Sequence, residues 1–309
     1  MHPMKKSDHI RLRSISAIHQ AFGLPKPQHP LISLTHFDEN NAFNPDKAPV
    51  YDVLDFYKIT FNVQNSGRLK YGQSYYDFEE GSMMFMAPQQ LVGPTEYHEG
   101  GESYVLLIHP DFLLGYSLAQ KMKQYSYFSY SVNEALHLSD QEKEIVLSIY
   151  CIIERELNSR VDEFSQEIVI AQIELLLSYA SRFYKRQFVT RRATCTTILE
   201  RTECVINDYL NNQKALDRGL PTVQYLSQQL NVSSGYLSDT LRSLIGRNAQ
   251  QYIHEKLVEK AKERLSTTDL TVSSIAYELG FEHSQSFNKF FKNKTRQSPL
   301  EFRQLFVGS

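Results

Sequence analysis

Four polar side chains near the C-terminus have the chemistry needed to read the edges of DNA bases. They are Gln285, Asn288, Lys289 and Lys292. On a helix that begins at Ser284, their spacings of three, one and three place them on one face. Gln and Asn amides can pair bidentately with adenine, and Lys can donate to guanine. The pattern predicts a helix that contacts base pairs in a major groove.

The residues around this helix are basic on one side and aromatic on the other. Between residues 283 and 300 there is no acidic residue, and the cations are Lys289, Lys292, Lys294 and Arg296. Phe287, Phe290 and Phe291 point mainly away from the polar face. A solvated charged face is the alternative interpretation of such a helix. We favour DNA contact, with Lys292 and Lys294 on phosphates and with His283 and Ser284 at the start of the site.

A turn pattern occurs twice, 49 residues apart, and the second copy directly precedes this helix. Each copy has a small residue, a Leu three positions later, then a residue that tolerates positive φ and an apolar residue. The members are Ser227, Leu230, Asn231 and Val232 in the first copy and Ala276, Leu279, Gly280 and Phe281 in the second. The small side chain lets a second helix cross closely, and Asn or Gly ends the first helix. The pattern predicts two helix-turn-helix motifs.

The predicted recognition helix of the first copy has fewer side chains that could read bases. Its predicted DNA-facing residues are Ser234, Gly235, Ser238, Asp239 and Arg242. Asp239 repels phosphate unless it accepts from a cytosine amino group, and Arg242 can bind a phosphate. We therefore expect this helix to position the protein with one base contact at most. Thr222 and Thr271 are predicted N-caps, and the two helices they begin could also present amides to phosphate.

A helical connector and a terminal helix complete the predicted domain. Residues 249–266 form an amphipathic stretch about 27 Å long as a helix, near the ~34 Å of one DNA turn. Two recognition helices could therefore reach successive major grooves. Ser298-Pro299-Leu300-Glu301 has the cap residues that begin a helix. We expect that helix to pack through Phe302, Leu305 and Phe306.

The segment from Ser274 to Lys292 resembles the signature of AraC/XylS-type transcription regulators, and Ser298-Pro299 and Phe302-Arg303 continue it. The resemblance covers Thr222 to Arg303. Arg296 departs from it, because the family usually has Gly there, and Leu241-Arg242 replaces the common Phe-Lys. The resemblance implies a cupin-like N-terminal barrel, followed by helices that often dimerise.

The first half of the chain carries strand patterns of its own. Apolar and polar residues alternate over 57–63, which is typical of a half-buried strand, and further strands are predicted at 69–78, 83–86 and 104–108. Short strands separated by Gly, Pro and Asn favour a small antiparallel barrel or sandwich. The predicted fold class is α+β: a cupin-like antiparallel β-barrel with helices, then an all-α domain with two helix-turn-helix motifs.

Helical periodicity begins near residue 139. A heptad-like stripe, which either packs against the barrel or forms a dimer seam, consists of Ile170, Ile173, Leu177, Ala180 and Tyr184. The basic segment 185–196 lacks periodicity and is the best linker candidate. The predicted organisation is a sensor domain at 1–138, a helical dimerisation segment at 139–190 and a DNA-binding domain at 191–309.

Composition narrows the possible function classes. A net charge of −2 argues against general affinity for nucleic acid or membranes, although residues 193–309 carry 14 basic and 12 acidic side chains. Three cysteines fit neither a disulfide framework nor a metal site. The chain has no apolar run of membrane-spanning length and no signal peptide. These features predict a cytoplasmic, nucleoid-associated protein.

The expected protein is a transcription regulator and not an enzyme. A metal-dependent cupin enzyme needs clustered ligands, whereas His36, His98 and His109 are widely spaced. Gln89-Gln90 stand where such an enzyme would place a His. We expect no catalytic residue, metal or cofactor. The expected partners are double-stranded operator DNA, RNA polymerase, a second copy of the chain and a small-molecule effector. Alternatively, the regulator binds DNA constitutively and its barrel only dimerises. The aromatic residues that could either line an effector pocket or fill the barrel are Tyr51, Phe56, Tyr57, Phe61, Tyr71, Tyr75, Tyr76 and Phe78.

Overall fold

The computed structural model describes residues 10–38, 52–64, 68–71, 74–77, 81–92, 102–131, 134–159, 164–190, 192–212 and 214–305 of the 309-residue chain. The chain divides into two compact units, Met1–Gln187 and Phe188–Ser309. The first unit combines strands with helices, and the described elements of the second are helices. This combination of a mixed strand-and-helix unit with a helical unit confirms the predicted α+β class.

The first unit is built around antiparallel strands. In chain order the described strands are β1 (Ile10–Leu12), β2 (Ile32–Phe37), β3 (Asp52–Leu54), β4 (Tyr57–Gln64), β5 (Arg68–Tyr71), β6 (Ser74–Asp77), β7 (Ser82–Met86), β8 (Leu91–Val92), β9 (Glu102–Ile108) and β10 (Leu136–His137). The largest sheet has the order β10-β7-β4-β9-β2. In the described residues its edge strands β2 and β10 do not pair with each other, so the antiparallel sheet expected there is observed but is open. The predicted strand at 69–78 is instead two paired strands, β5 and β6.

Both faces of this sheet are covered by other elements, which is why it need not close on itself to bury its apolar side chains. On one face, the Phe61 ring lies 5.8 Å from Tyr150 and the Phe85 ring 6.2 Å from Tyr184. On the other, Val105 and Leu107 share a core with Ile15 and Ile18 of helix α1 (Ile15–Ala21). The alternating pattern of β4 predicts one buried face only. That interpretation is wrong, because Thr60 and Asn62 are buried as well.

Helices follow the sheet and supply the cover on its first face. They are α2 (Leu118–Lys121), α3 (Asp140–Asn158) and α4 (Ser165–Thr190). α3 begins at a capping box in which Ser139 and Glu142 each bind the other's backbone N–H. Every member of the heptad-like stripe on α4 is buried within the protein. The stripe therefore packs inside the unit and is not exposed to form a dimer seam.

The boundary between the two units, at Gln187 and Phe188, falls within the predicted linker at 185–196, although the described residues of that segment are helical. Those residues lie in α4 and in α5 (Arg192–Asn211), and Phe188 and Cys195 are buried. The Phe188 ring lies 5.4 Å from the Tyr236 ring. The polar and basic composition of this segment gave no sign of these two buried side chains.

The second unit contains two short helix pairs of similar construction. After α5, its helices are α6 (Lys214–Arg218), α7 (Val223–Leu230), α8 (Ser234–Ile245), α9 (Ala249–Thr267), α10 (Val272–Glu278), α11 (Ser284–Thr295) and α12 (Pro299–Gln304). The pairs are α7–α8 and α10–α11, and α9 connects them. The side chains of Thr222 and Thr271 accept hydrogen bonds from Tyr225 and Ser274 N–H, as predicted for N-caps.

The turn within each helix pair has the same closing hydrogen bond. The Val232 N–H donates to the Ser227 carbonyl at 3.0 Å, and the Phe281 N–H donates to the Ala276 carbonyl at 3.0 Å. Asn231 and Gly280 have φ of +56° and +89°. These are the left-handed conformations that the repeated sequence pattern predicts.

A shared apolar core holds the helix pairs together. Ala276, Leu279, Phe287 and Phe291 are buried in it with their counterparts in the first pair. Ser227 is buried too, and its hydroxyl lies 3.0 Å from that of Ser234 at the start of α8. α12 begins at the predicted Ser298–Glu301 capping box, and the Phe302 ring lies 5.6 Å from Phe291. Leu305 is exposed, contrary to prediction, because α12 ends at Gln304; Phe306 lies outside the described residues.

We predict that Ala276→Leu destabilises the second unit by about 1–3 kcal/mol, because three additional carbons must enter a filled helix crossing. A urea titration followed by circular dichroism measures this change. Ala276→Ser is the matched control, since Ser227 occupies the corresponding position and its hydroxyl donates to the Gln224 carbonyl. An unfolding midpoint for Ala276→Leu equal to that of the unaltered protein would contradict the crossing described here.

Candidate DNA-binding site

The outward face of α11 carries the side chains predicted to read bases. Gln285, Asn288, Lys289 and Lys292 are exposed, as is His283 just before the helix, and Ser284 is half-buried. Phe287 and Phe291 lie on the opposite side and are 0% exposed. The Phe281 ring contacts Phe287 at 5.4 Å, which ties this buried side to the turn. α11 thus exposes amide and ammonium groups to solvent on one side, while its apolar side is held in the core.

The corresponding face of α8 has shorter side chains. Ser234 and Arg242 are exposed, whereas Gly235, Ser238 and Asp239 are half-buried. Arg242 Nη1 lies 2.5 Å from Asp239 Oδ1. Its guanidinium charge is therefore partly neutralised by a residue one helical turn away. The i, i+3 spacing of Asp239 and Arg242 is one at which oppositely charged side chains on a helix meet, so the pair is readable from the sequence.

The cations of the connector helix α9 are engaged within the domain. Lys256 pairs with Glu203 and Glu259, Lys260 pairs with Glu263, and Arg264 pairs with Glu278. The hydrogen bond that Lys256 donates to the Glu203 carboxylate raises the pKa of Lys256 above its ordinary value. Each of these three cations therefore has an acidic partner within the domain.

The cations of α11 are different. Within the described part of the chain, Lys289, Lys292, Lys294 and Arg296 form no ion pair. Arg296 also ends α11 with φ of +66°, so it is the modified turn expected where the AraC/XylS signature has Gly. Cations without an ion pair in the described residues are therefore concentrated on and just after the helix that also carries the exposed amides, an arrangement suited to a phosphate backbone with base edges beside it.

The histidines considered for a metal site in the first unit have other partners. His36 Nε2 lies 3.1 Å from Glu102 Oε1, and its ring stacks on Tyr104 at 4.3 Å. His109 Nδ1 accepts from the Asp111 N–H at 3.1 Å, and His98 lies outside the described residues. Among the residues that the structure describes, no three potential ligands are grouped to hold a metal ion. None of the helices described is both long and apolar enough to cross a membrane.

The aromatic residues of the sheet contribute mainly to its packing where they are described. Phe56 and Phe61 are buried, and the half-buried Tyr57 contacts the Phe128 ring at 5.2 Å. The other candidate positions, Tyr51, Tyr71, Tyr75, Tyr76 and Phe78, lie outside the described side chains. Burial of Phe56 and Phe61 agrees with the alternative in which such residues fill the sheet domain.

Comparison with known proteins identifies the C-terminal part of the chain. Residues 226–305 match the protein family described as a helix-turn-helix domain. The chain is 23% identical to YfiF of Bacillus subtilis, an uncharacterised HTH-type transcriptional regulator, over 82% of this chain and 78% of that protein. It is 34% identical to RafR of Pediococcus pentosaceus, a raffinose operon regulatory protein, over 27% of this chain and only 30% of RafR.

A solved structure with similar sequence is the C-terminal domain of the two-component response regulator YesN from Fusobacterium nucleatum. It is 33% identical and covers 33% of this chain and 96% of that one, with a TM-score of 0.29. The family match covers both helix pairs from Leu226 onward, and the exposed cationic face of α11 lies within it. Residues 226–305 are a helix-turn-helix domain whose sequence resembles the AraC/XylS signature, and the protein that carries it is a DNA-binding transcription regulator.

Proposed function

We propose that this regulator recognises its operator with two recognition helices, α8 and α11, that enter adjacent major grooves of double-stranded DNA. The observation that carries the proposal is the outward face of α11, where exposed amides and cations without ion pairs in the described chain lie together. The second observation is the repeated turn, because the same closing hydrogen bond positions α8 relative to α7 and α11 relative to α10.

The connector has a suitable length for this mode of binding. α9 contains 19 residues and so is about 28 Å long at 1.5 Å per residue. One turn of B-DNA measures about 34 Å, and that is the separation between successive major grooves on one side of the duplex. A rigid helix of nearly this length supports simultaneous insertion of both recognition helices.

The two recognition helices have different roles in the proposal. Gln285 and Asn288 of α11 read adenine edges, Lys289 reads guanine, and Lys292 binds a phosphate. α8 offers mainly short side chains, and its Arg242 is already paired with Asp239. α8 therefore positions the domain, with Arg242 moving toward a phosphate oxygen, while α11 supplies most of the sequence preference.

Variants of α11 test this division. Gln285→Ala should weaken binding to the preferred operator by about 1–3 kcal/mol and relax the preference at one base pair. Lys292→Ala should weaken binding to all sequences alike and reduce the slope of log affinity against log salt by about 1. Fluorescence anisotropy with operator and scrambled DNA across a salt series measures both effects.

Exposed residues of the first unit provide controls matched by side-chain type, Gln120→Ala for the amide and Lys123→Ala for the cation. Both controls should bind as the unaltered protein does. If Gln285→Ala kept full affinity and full base preference, Gln285 would not belong to the reading surface.

A variant of α8 tests its positioning role. Asp239→Asn removes a negative charge that faces the backbone of DNA, and it releases Arg242. We expect higher affinity for operator and scrambled DNA alike, with a steeper salt dependence, in the same anisotropy assay. A selective loss of affinity for sites with a cytosine at one position would show instead that Asp239 accepts from a base.

Dimerisation is the proposed role of the helical segment, through a face other than the stripe first considered. Phe164, Ile168, Ala171 and Leu175 are exposed on or just before α4 at spacings of four, three and four. This is a heptad pattern suited to a second helix. Glu167 is exposed near the beginning of α4, and Arg182 and Lys185 are exposed nearer its end. An antiparallel second copy centred on Leu175 would bring opposite charges together, so that copy is the proposed occupant.

Leu175→Glu should therefore shift the protein from dimer to monomer, because two carboxylates would meet at the centre of the antiparallel contact. Analytical ultracentrifugation at several protein concentrations measures the mass. Leu114→Glu is the matched control, since Leu114 is 66% exposed and lies outside α4. A monomeric unaltered protein, or a Leu175→Glu variant that stays dimeric, would contradict this seam.

Control by a small-molecule effector, and contact with RNA polymerase, remain predictions about the protein. A constitutive regulator whose first unit only dimerises is the second candidate, and the burial of Phe56 and Phe61 favours it over a large apolar pocket at those residues. A thermal-shift screen with sugars, aromatic acids and other metabolites separates the two. Reproducible stabilisation by one chemical class supports a sensor.

A further inference from the structure

The turn of the second helix pair touches the backbone of the segment that precedes the first pair. Gly280 follows α10, and Gly219 follows α6, with φ of +89° and +76°. A Cβ atom on Gly280 would lie 2.5 Å from the Gly219 carbonyl carbon and 2.6 Å from its oxygen. It would also lie 2.9 Å from the Leu220 nitrogen. The two backbones are therefore too close to admit any side chain on Gly280.

Gly219 is fixed from its other side to the framework of the first helix pair. Its N–H donates to the Ala215 carbonyl at 2.9 Å, and its carbonyl accepts from the Tyr209 hydroxyl at 3.0 Å. Tyr209 belongs to α5 and is almost fully buried, and its ring contacts Tyr225 of α7 at 4.8 Å. A displacement of Gly219 would therefore disturb the packing that holds α7.

Gly280 has an equally fixed position in the second pair. Its N–H donates to the Tyr277 carbonyl at 2.9 Å, and the next residue, Phe281, makes the hydrogen bond that closes the turn. The conformation of Gly280 therefore helps to determine the orientation of α11 relative to α10. The contact with Gly219 joins the two helix pairs at a point that is separate from the connector α9.

We propose that the contact between Gly219 and Gly280 sets the distance and rotation between the two recognition helices, and so selects the spacing between the two base-contact elements of the operator. The inference rests on the proposed insertion of both α8 and α11. The connector α9 and the shared apolar core already restrict the relative movement of the helix pairs, and this backbone contact adds a point of close approach at which no side chain fits. Gly280 and Gly219 are positioning residues, since neither belongs to the face that meets DNA.

Gly280→Asn tests the close approach separately from the turn conformation. Asn adopts positive φ more readily than most residues with a side chain, so the turn is retained, but its Cβ collides with Gly219. Gly246→Asn is the matched control. Gly246 also has positive φ, +71°, and a Cβ there meets nothing within 4 Å. Both substitutions place Asn at a positive φ, and only Gly280→Asn disturbs the contact.

The readout is affinity for a series of operators in which the two base-contact elements are moved apart or together by one or two base pairs. We expect the full-length protein and Gly246→Asn to prefer one spacing by about tenfold or more. Gly280→Asn should lose about tenfold affinity at that spacing and show a flattened or shifted preference. It should keep its affinity for DNA that carries only the α11 element. An unchanged spacing preference in Gly280→Asn would overturn the inference.

Two further results keep the outcomes distinguishable. If circular dichroism shows that Gly280→Asn does not fold, the Tyr209→Phe variant tests the inference instead, because it removes only the hydroxyl that donates to the Gly219 carbonyl. That variant should fold and discriminate less between spacings, and unchanged discrimination overturns the inference. If the unaltered protein itself has no spacing preference, then the proposed insertion of two helices fails, and this inference fails with it.

Discussion

The burial of Phe287 and Phe291 is the interaction on which the DNA-binding surface depends. Both rings are fully removed from solvent, and both lie on the side of α11 that faces the core. Because a helix has one buried side here, its opposite side must face outward, and that side carries Gln285, Asn288 and Lys289. The hydrogen bond from Phe281 to Ala276 then fixes the direction in which α11 leaves α10. Packing of the two rings and the geometry of the turn together determine the direction in which the polar face of α11 points.

The helices of this domain differ in whether their cations form ion pairs. This difference distinguishes the helix proposed to read DNA from the helices that position it. The connector α9 and helix α8 hold cations in internal ion pairs, such as Lys260 with Glu263 and Arg242 with Asp239. The cations of α11 have no such partners in the described residues. A net charge near zero for the whole chain is therefore compatible with strong local attraction to phosphate.

The sequence predicts local features of the C-terminal unit well, because the information for a tight turn is local. A small residue, a Leu and a residue of positive φ occur within five positions, and both turns have the expected geometry. The first unit was harder to predict. Strand patterns indicate where strands lie, but the contacts that cover the sheet, such as Phe61 with Tyr150, join residues far apart in sequence. The approach of Gly219 to Gly280 is equally non-local, so neither glycine could be assigned a role in spacing from its neighbours alone.

The central claim is that one domain reads two adjacent major grooves. Methylation and hydroxyl-radical interference on an operator selected from random DNA tests it most directly. The account predicts two clusters of essential contacts per domain, on one side of the duplex and about one helical turn apart, with stronger base dependence at the α11 cluster. A single cluster, or a selection that yields no preferred sequence, would contradict it.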